Sequence, residues 1–468
     1  DLGRQEEARD AFTAAIERRD SYAEAYNNRG KVQELLGNLD EAIIDLDRAI
    51  ERMPTLSAAH YNRGNALKAQ GKLEDAMVSY DNAISLQPNY VSARNNRGNC
   101  YMALDRYDEA LIDYQVAIDA KPEGMETYNN QGNAYLHLLR FDEADRCYDR
   151  AIALDETFSE AYWNKALLAL LRGDFDAGWP LYEWRWKRSA AKTYTRSFIQ
   201  PRWNGEDIAG KTLLIYGEQG LGDYIQFSRY VPALCAMGIK VVVEVAVELF
   251  DFLSSMNCPA TFVRAGTELP DFDLHCPVMS LPLVCRGQLP DFPADIPYLF
   301  ANAEKSRFWQ EKLGAKTALR VGLAWSGKAI HPNDRNRSMR LAALAPILDL
   351  PAEFHILQKE IRPDDFSALG RYKLHSHCDG LDSFADTAAL IDHMDLVISV
   401  DTSIAHAAAA MGKEVWMMLP QLPDWRWLMG RSDTPWYPTV TLYRQQAIGD
   451  WSAVIGTIAE KLKARSAS

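Results

Sequence analysis

Apolar, small and polar positions along the first part of the chain recur with a period of 34 residues. Gly30, Gly64, Gly98 and Gly132 occupy one slot of the period, and Ala166 takes the next. Alanines return at Ala42, Ala76, Ala110 and Ala144 and again at Ala49, Ala83, Ala117 and Ala151, a large residue returns at Leu46, Tyr80, Tyr114 and Tyr148, and Pro54, Pro88 and Pro122 close successive units. Small residues where two helices cross, a bulky one filling the gap and a proline ending the second helix predict stacked helix-turn-helix units. Complete units run from about Tyr22 to Phe158. The opening GRQEEARDAFTAAIERR is in register with the second helix GNLDEAIIDLDRAIER, so the chain is expected to start in mid-repeat, truncated, with a capping unit upstream. Ser159 to Arg172 read as a further first helix and Phe175 to Trp186 as an altered second one, whose Trp179, Trp184 and Trp186 suit docking onto a following domain.

From about Trp203 the period is gone and short apolar runs alternate with helical segments. KTLLIY (Lys211 to Tyr216) and KVVVEV (Lys240 to Val245) predict buried strands, with one amphipathic helix between them from about Asp223 to Met237. After a proline-rich stretch from Pro270 to Pro297, a second series begins with LRVGLAW (Leu319 to Trp325) and continues through Glu353 to Gln358, Leu396 to Val400 and Val415 to Leu419. The pattern divides the chain into a repeat array at 1–186, a linker at 187–202 and two α/β halves at 203–315 and 316–468. Two such halves describe facing Rossmann-like lobes, with ligands expected in the cleft.

Composition narrows the setting. At 468 residues, 47% hydrophobic and 25% charged, the chain has ample material for folded cores. It holds no uncharged apolar run of about 18 residues, and its first residues are polar, so neither a membrane span nor a signal peptide is expected. Seven cysteines without a CxxC pair fit a reducing, cytoplasmic compartment. Residues 1–186 carry 21 Lys+Arg against 33 Asp+Glu, net −12, whereas 187–468 carry 30 against 31, net −1. An acidic array repels phosphate backbones and anionic lipids, so nucleic acid is not an expected partner.

Three segments carry candidate chemistry, each at the end of a predicted strand. GEQGLGDYIQF, Gly217 to Phe227, is a glycine-rich turn with Asp223 where a helix begins; the alternative role for Asp223 is that of a helix cap. SGKAIHPNDRNRSMR, Ser326 to Arg340, concentrates Lys328, His331, Arg335, Arg337 and Arg340, donors suited to phosphate oxygens, unless the loop is merely solvated. DTSIAHAAAAMG, Asp401 to Gly412, sets two hydroxyls and a helix N-terminus at a strand end, a seat for a diphosphate. His406 either touches ligand there or packs. The DxD of Asp271 and Asp273 reads as structural and within a strand, and His375, His377 and Cys378 lack an obvious fourth metal ligand.

The 34-residue units resemble the tetratricopeptide repeat. LGD after the first strand, the basic loop and DTSIAH before an alanine-rich helix resemble the GT-B glycosyltransferases related to the heptosyltransferases. The whole chain is thus similar in plan to bacterial repeat-containing glycosyltransferases, to protein O-GlcNAc transferases and to flagellin-modifying transferases: an α-solenoid of tetratricopeptide repeats followed by an α/β GT-B domain of two Rossmann-like lobes. Ser403, where the heptosyltransferases favour glycine, and the tryptophan-rich PDWRWLMGRSDTPWYP from Pro423 to Pro438 depart from that pattern. The resemblance implies Asp223 as general base for an inverting, metal-independent transfer; were Asp223 dispensable for turnover, His275 or His331 would be the candidates left. It implies donor contacts from Gly222, Lys328, Arg337, Ser338, Gln358, Lys359, Asp401, Thr402, Ser403 and His406. No cofactor is expected, the nucleotide sugar being a substrate.

Within the repeats an asparagine ladder supplies side-chain amides that can grip an extended peptide backbone, at Asn95, Asn99, Asn129 and Asn133, or can bond between helices. The expected function is transfer of a sugar from a nucleotide sugar to a hydroxyl of a protein acceptor, flagellin by analogy, recruited by the repeats. A glycan or lipid acceptor, and a non-catalytic scaffold, are the alternatives. A homo-oligomer is compatible with this plan.

Overall fold

The computed structural model describes residues 2–189, 196–290, 292–293, 295–331 and 333–466. The chain divides into two compact units, Asp1–Leu168 and Ala169–Ser468.

The first unit is the repeat array. Antiparallel pairs Ala23–Leu35 with Leu39–Arg52, Ser57–Ala69 with Leu73–Leu86, Val91–Ala103 with Tyr107–Ala120, and Met125–His137 with Phe141–Leu154 follow an opening helix Leu2–Arg18. The glycine slot is explained by contact. A Cβ on Gly64, Gly98 or Gly132 would stand 2.5, 2.5 and 2.6 Å from the ring of Tyr80, Tyr114 and Tyr148, and one on Gly30 would stand 2.7 Å from Leu46. Each tyrosine hydroxyl then donates to an asparagine of the facing helix: Tyr80 to Asn65 (2.8 Å), Tyr114 to Asn99 (2.6 Å) and Tyr148 to Asn133 (2.9 Å). The slot before the glycine forms an ionic ladder that the pattern alone did not announce. Arg29 pairs with buried Asp45 (2.7 Å), Arg63 with Asp47 (2.6 Å), and Arg97 with buried Asp113 and with Asp81 (both 2.5 Å).

The array's expected boundary at 186 falls inside the second unit. Helix Phe175–Tyr182 and the 3₁₀ turn Glu183–Lys187 pack there: the Trp179 ring meets Phe227 (6.0 Å between centroids) and Trp425 (5.3 Å) edge-on, and fully buried Arg185 donates to Glu218 (2.7 Å) and Ser280 (2.6 Å). Of the expected linker, residues 190–195 lie outside the described residues.

Among the described residues of the second unit, strands form two parallel sheets. The first holds β1 (Thr212–Tyr216), β2 (Lys240–Val245), β3 (Thr261–Arg264) and β4 (Leu274–Pro277) in the order β3-β2-β1-β4. The second holds β5 (Arg320–Ala324), β6 (Glu353–Ile356), β7 (Leu374–His375), β8 (Leu396–Val400), β9 (Val415–Leu419) and β10 (Val440–Arg444) in the order β10-β9-β8-β5-β6-β7. The order reverses between β8 and β5, which opens a crevice at the carboxyl ends of those two strands. Their apolar side chains, with Ile455, Ile458 and Leu462 of the last helix Ser452–Ser466, make the second lobe's core.

Three expectations change in detail. The single helix after β1 is two, Leu221–Phe227 and Tyr230–Ala236, because Pro232 has no N–H to continue the ladder. Helix Ala303–Leu313, assigned to the first lobe, packs on helix Phe384–Asp392 of the second, through Lys305 to Asp386 (2.5 Å) and Ser306 to Asp392 (2.8 Å). The DxD precedes β4 rather than lying within it, and Asp273 caps the sheet by accepting the N–H of Thr212 (2.7 Å).

Candidate active site

The glycine-rich turn after β1, the basic loop after β5 and the turn after β8 meet in one cavity of about 460 Å³ between the lobes. Of the expected residues, Gly222, Asp223, Lys328, Arg337, Asp401, Thr402, Ser403 and His406 line it. A neighbouring cavity of about 350 Å³, lined by Gln358, Lys359, Ser383 and Phe384, shares Lys328, Thr402 and Ser403 with the first.

Asp223 stands at the third position of helix Leu221–Phe227, whose cap is Gly220, and one carboxylate oxygen accepts the Gly220 N–H (2.8 Å). The other oxygen accepts from Arg426 of the second lobe. Capping is therefore half of what this carboxylate does. Burial raises its pKa, and the Arg426 guanidinium opposes that shift. Gly222 lets the helix approach helix Ser403–Ala410 across the cleft: a Cβ there would lie 3.0 Å from His406 Cδ2.

On the opposite wall, Arg337 donates through Nη1 to the carbonyl of Asp401 (2.9 Å), while its buried Nε has no partner among the described residues. Gly327 leaves room for the Arg337 guanidinium: a Cβ there would stand 2.5 Å from Nη2, so a side chain would displace the guanidinium from its present place. Lys328 is exposed at the cavity rim. Thr402 is the N-cap of Ser403–Ala410 and lies 3.2 Å from Ser399 Oγ through its hydroxyl. Burial, reinforced by the nearby Asp424 carboxylate, pushes Asp401 up to about 6. His406 is buried, shares a hydrogen bond with the Tyr437 hydroxyl (3.0 Å) and stacks on Trp427 (5.2 Å between centroids). Burial and surrounding arginines pull its pKa down to about 3, so the ring is neutral above that pH.

Two expected donor contacts serve the scaffold instead. Ser338 donates to Asp334 (2.6 Å) and accepts from the Gly327 N–H (3.0 Å), so its hydroxyl is spent holding the basic loop and it lines neither cavity. Gln358 accepts from the N–H groups of Trp325 (2.9 Å) and Ser326 (3.3 Å) and donates to Ser326 Oγ (3.1 Å) and the Glu360 carbonyl (2.8 Å). It faces the second cavity with its amide already committed. Lys359 is exposed beside it, 4.0 Å from Asp382.

The four asparagines lie in the repeat array, in the other unit. Their oxygens are all engaged: Asn95 accepts from Asn130 (3.1 Å), Asn129 from Asn164 (2.8 Å), and Asn99 and Asn133 from the tyrosines already described. Their amide nitrogens have no hydrogen-bond partner among the described residues.

The sequence reading missed Arg426, Asp424 and Arg362. Arg362 ties the basic loop by donating to the Gly327 carbonyl (2.9 Å) and Asp334 (2.6 Å). Arg426 sits in the tryptophan-rich segment, whose divergence was the one available signal. The three-residue group singled out as a weak metal candidate is otherwise occupied: His375 stacks on His355 (4.7 Å between centroids), and His377 Nε2 lies 3.1 Å from His355 Nδ1.

Comparison with known proteins supports both parts of the chain. Residues 1–56, 64–105, 91–123 and 126–158 match tetratricopeptide-repeat families, and residues 380–416, which include the turn after β8 and the helix from Ser403, match glycosyltransferase family 9 (heptosyltransferase). The chain therefore joins tetratricopeptide repeats to an α/β region with a glycosyltransferase family 9 segment, and the fold class expected from the sequence is the one observed. Protein FlbA of Caulobacter vibrioides is 25% identical over 331 residues, 65% of this chain, and the chain spans 55% of that relative's length. Among solved structures, YrrB, described as a TPR protein with an unusual peptide-binding site, is 19% identical and covers 39% of this chain and 98% of its own at a TM-score of 0.34. A thermophilic repeat protein of Thermus thermophilus, TTC0263, is 22% identical and covers 36% and 92% at 0.32. Among the described residues no helix is long and apolar enough to cross a membrane.

Proposed function

We propose that the second unit transfers a sugar from a nucleotide-sugar donor to a hydroxyl of a protein acceptor, with inversion and without a metal, and that the repeat array recruits the acceptor. The observation that carries the reading is the composition of the larger cavity: a half-buried carboxylate, Asp223, on the first lobe lines it together with Arg337, Lys328 and the start of helix Ser403–Ala410 on the second. Asp223 takes the proton of the acceptor hydroxyl as that oxygen attacks the anomeric carbon. Arg337 and the N–H groups at the start of the helix balance the charge that develops on the departing phosphate oxygen, the place where preorganised donors contribute most. Gln358 holds the wall of the adjoining cavity, which has room for the nucleoside. The cationic groups, rather than a metal, are what this reading assigns to the leaving group.

For the array, the amide nitrogens of Asn95, Asn99, Asn129 and Asn133 are the groups that remain to donate to peptide carbonyls. Flagellin as the acceptor rests on family resemblance, and the cytoplasm as the location rests on seven free cysteines. Incubation with UDP-, ADP-, GDP- and CMP-sugars, followed by measurement of released nucleotide and intact mass of co-expressed candidate acceptors, tests the proposal. Release without protein modification points to a glycan or lipid acceptor; no release with any donor returns the chain to the scaffold reading.

A further inference from the structure

Arg426 belongs to the tryptophan-rich segment that departs from the heptosyltransferase pattern, and all three nitrogens of its guanidinium are engaged by side chains. Nε donates to Gln226 Oε1 (2.9 Å), Nη1 to Asp424 Oδ1 (2.7 Å) and Nη2 to Asp223 Oδ1. Asp223 and Gln226 are three apart on helix Leu221–Phe227 and so share one face, which means a single second-lobe side chain grips two positions of the first lobe's helix. Its Cζ lies 4.3 Å from the centroid of the Trp425 ring, and that ring is fixed in turn by Trp179 at 5.3 Å. Asp424 caps the 3₁₀ turn Trp425–Trp427 by accepting the Arg426 N–H (3.0 Å), so the backbone of Arg426 is held as firmly as its head. The next residue after that turn, Leu428, has φ 52° and ψ −175°, a conformation that glycine alone enters freely. A backbone strained in this way persists only where its surroundings over-determine it.

We propose that Arg426 is a positioning residue for Asp223: reaching from the donor-side lobe, it clamps the carboxylate so that the base is complete only when the two lobes are together. The proposal rests on the reading of Asp223 as general base. A carboxylate on a rotatable side chain is a poor base unless one oxygen is held toward the acceptor, and the two contacts on Asp223, the Gly220 N–H and Arg426, fix both torsions. The clamp also has an electrostatic side. Burial favours the protonated acid, Asp424 adds to that, and Arg426, the Gly220 N–H and His331 work against it; the Tyr182 hydroxyl also lies within electrostatic range. Among the groups that oppose the upward shift of this half-buried carboxylate, Arg426 is the strongest. Its removal and the removal of Asp424 must then act on Asp223 with opposite sign, which a general loss of structure does not do.

The test uses the full chain labelled with ¹³C at the aspartate carboxyl carbon, with the Asp223 signal assigned by its absence in Asp223→Asn. In Arg426→Ala the Asp223 titration midpoint should rise by about one pH unit or more, the scale of a lost neighbouring opposite charge. In Asp424→Asn it should fall, and in Arg426→Lys it should stay near wild type. The remaining aspartate signals report whether each variant is folded; if Arg426→Ala is not, Arg426→Lys and Asp424→Asn still carry the comparison. The acid limb of kcat/KM for nucleotide release should move in the same order. An Asp223 midpoint that moves in neither Arg426→Ala nor Asp424→Asn, or that moves the same way in both, overturns the clamp. An Asp223→Asn protein that still releases nucleotide at the wild-type rate overturns instead the general-base reading, whatever the titrations show.

Discussion

Replacing Asn95, Asn99, Asn129 and Asn133 by alanine is the obvious way to ask whether the array holds the acceptor, and the structure predicts why it gives an ambiguous answer. Each asparagine oxygen accepts one inter-helix hydrogen bond, at distances from 2.6 to 3.1 Å. At ~0.5–1.5 kcal/mol apiece, four such bonds amount to ~2–6 kcal/mol. Tyr114 and Tyr148 are fully buried, so two hydroxyls would also lose their partners, at a further ~1–3 kcal/mol each. The quadruple variant is therefore expected to melt, on the scale of a whole domain's stability of ~5–15 kcal/mol. A sharper perturbation changes only the nitrogens. Asn99→Asp with Asn133→Asp keeps an acceptor oxygen for each tyrosine and removes both amide donors. Tyr114→Phe with Tyr148→Phe does the reverse, deleting the inter-helix bonds while leaving the amides in place. The aspartate pair should melt near wild type and lose modification of the protein acceptor, while donor hydrolysis continues. The phenylalanine pair should lose stability and keep modification at temperatures where it is folded. Thermal melting followed by circular dichroism, run beside an intact-mass assay of the acceptor, reads both. An aspartate pair that melts like wild type and modifies its acceptor at full rate would refute peptide recruitment at these positions.

The remaining predictions concern the second unit and the repeat packing. Asp223→Asn should lower turnover by ~10²–10⁴-fold with donor affinity nearly unchanged, measured by nucleotide release beside calorimetry. Arg337→Ala should weaken nucleotide-sugar binding by ~1.5–3 kcal/mol; unchanged calorimetric affinity would remove it from the donor site. Asp401, pushed up to about 6, gains its negative charge as pH rises through that value, so affinity for an anionic donor should decline between about pH 5 and 7.5, and Asp401→Asn should flatten the decline. Gly98→Ala places a Cβ 2.5 Å from the Tyr114 ring and should cost ~1–3 kcal/mol in a urea melt.

How much of this was legible depended on whether the determining contact is local. The array is readable because its key pair, a glycine and a large residue 16 positions later, recurs in every unit, as Gly64 with Tyr80 or Gly98 with Tyr114. β1, β2, β5, β8 and β9 announce themselves as apolar runs buried almost throughout. β3 and β7 do not, because they are short edge strands with mixed burial, and β4 is masked by the prolines around it. β10 follows the tryptophan-rich segment, where no family pattern guided the reading. Arg426 was out of reach for a different reason: its partner Asp223 lies 203 residues earlier, and an ion pair across two lobes leaves no periodic trace in the sequence.

The residues that were read correctly as polar clusters sort by atom rather than by residue once partners are known. Ser338, Gln358 and the asparagine oxygens looked like ligand groups because they are hydrogen-bonding side chains at strand ends or on a helix face, yet their capacity is spent inside the fold. What a site can offer a ligand is the remainder after the scaffold has been satisfied. In the cleft that remainder includes the exposed Lys328 ammonium on one lobe. In the array it is a row of amide nitrogens. Asp223 is the exception: both of its oxygens already accept hydrogen bonds, and yet burial still raises its pKa above the ordinary carboxylate value. A carboxylate whose affinity for a proton exceeds the ordinary value, held from two sides and lining the same cavity as Arg337 and Lys328, has the properties that the proposed general-base role requires.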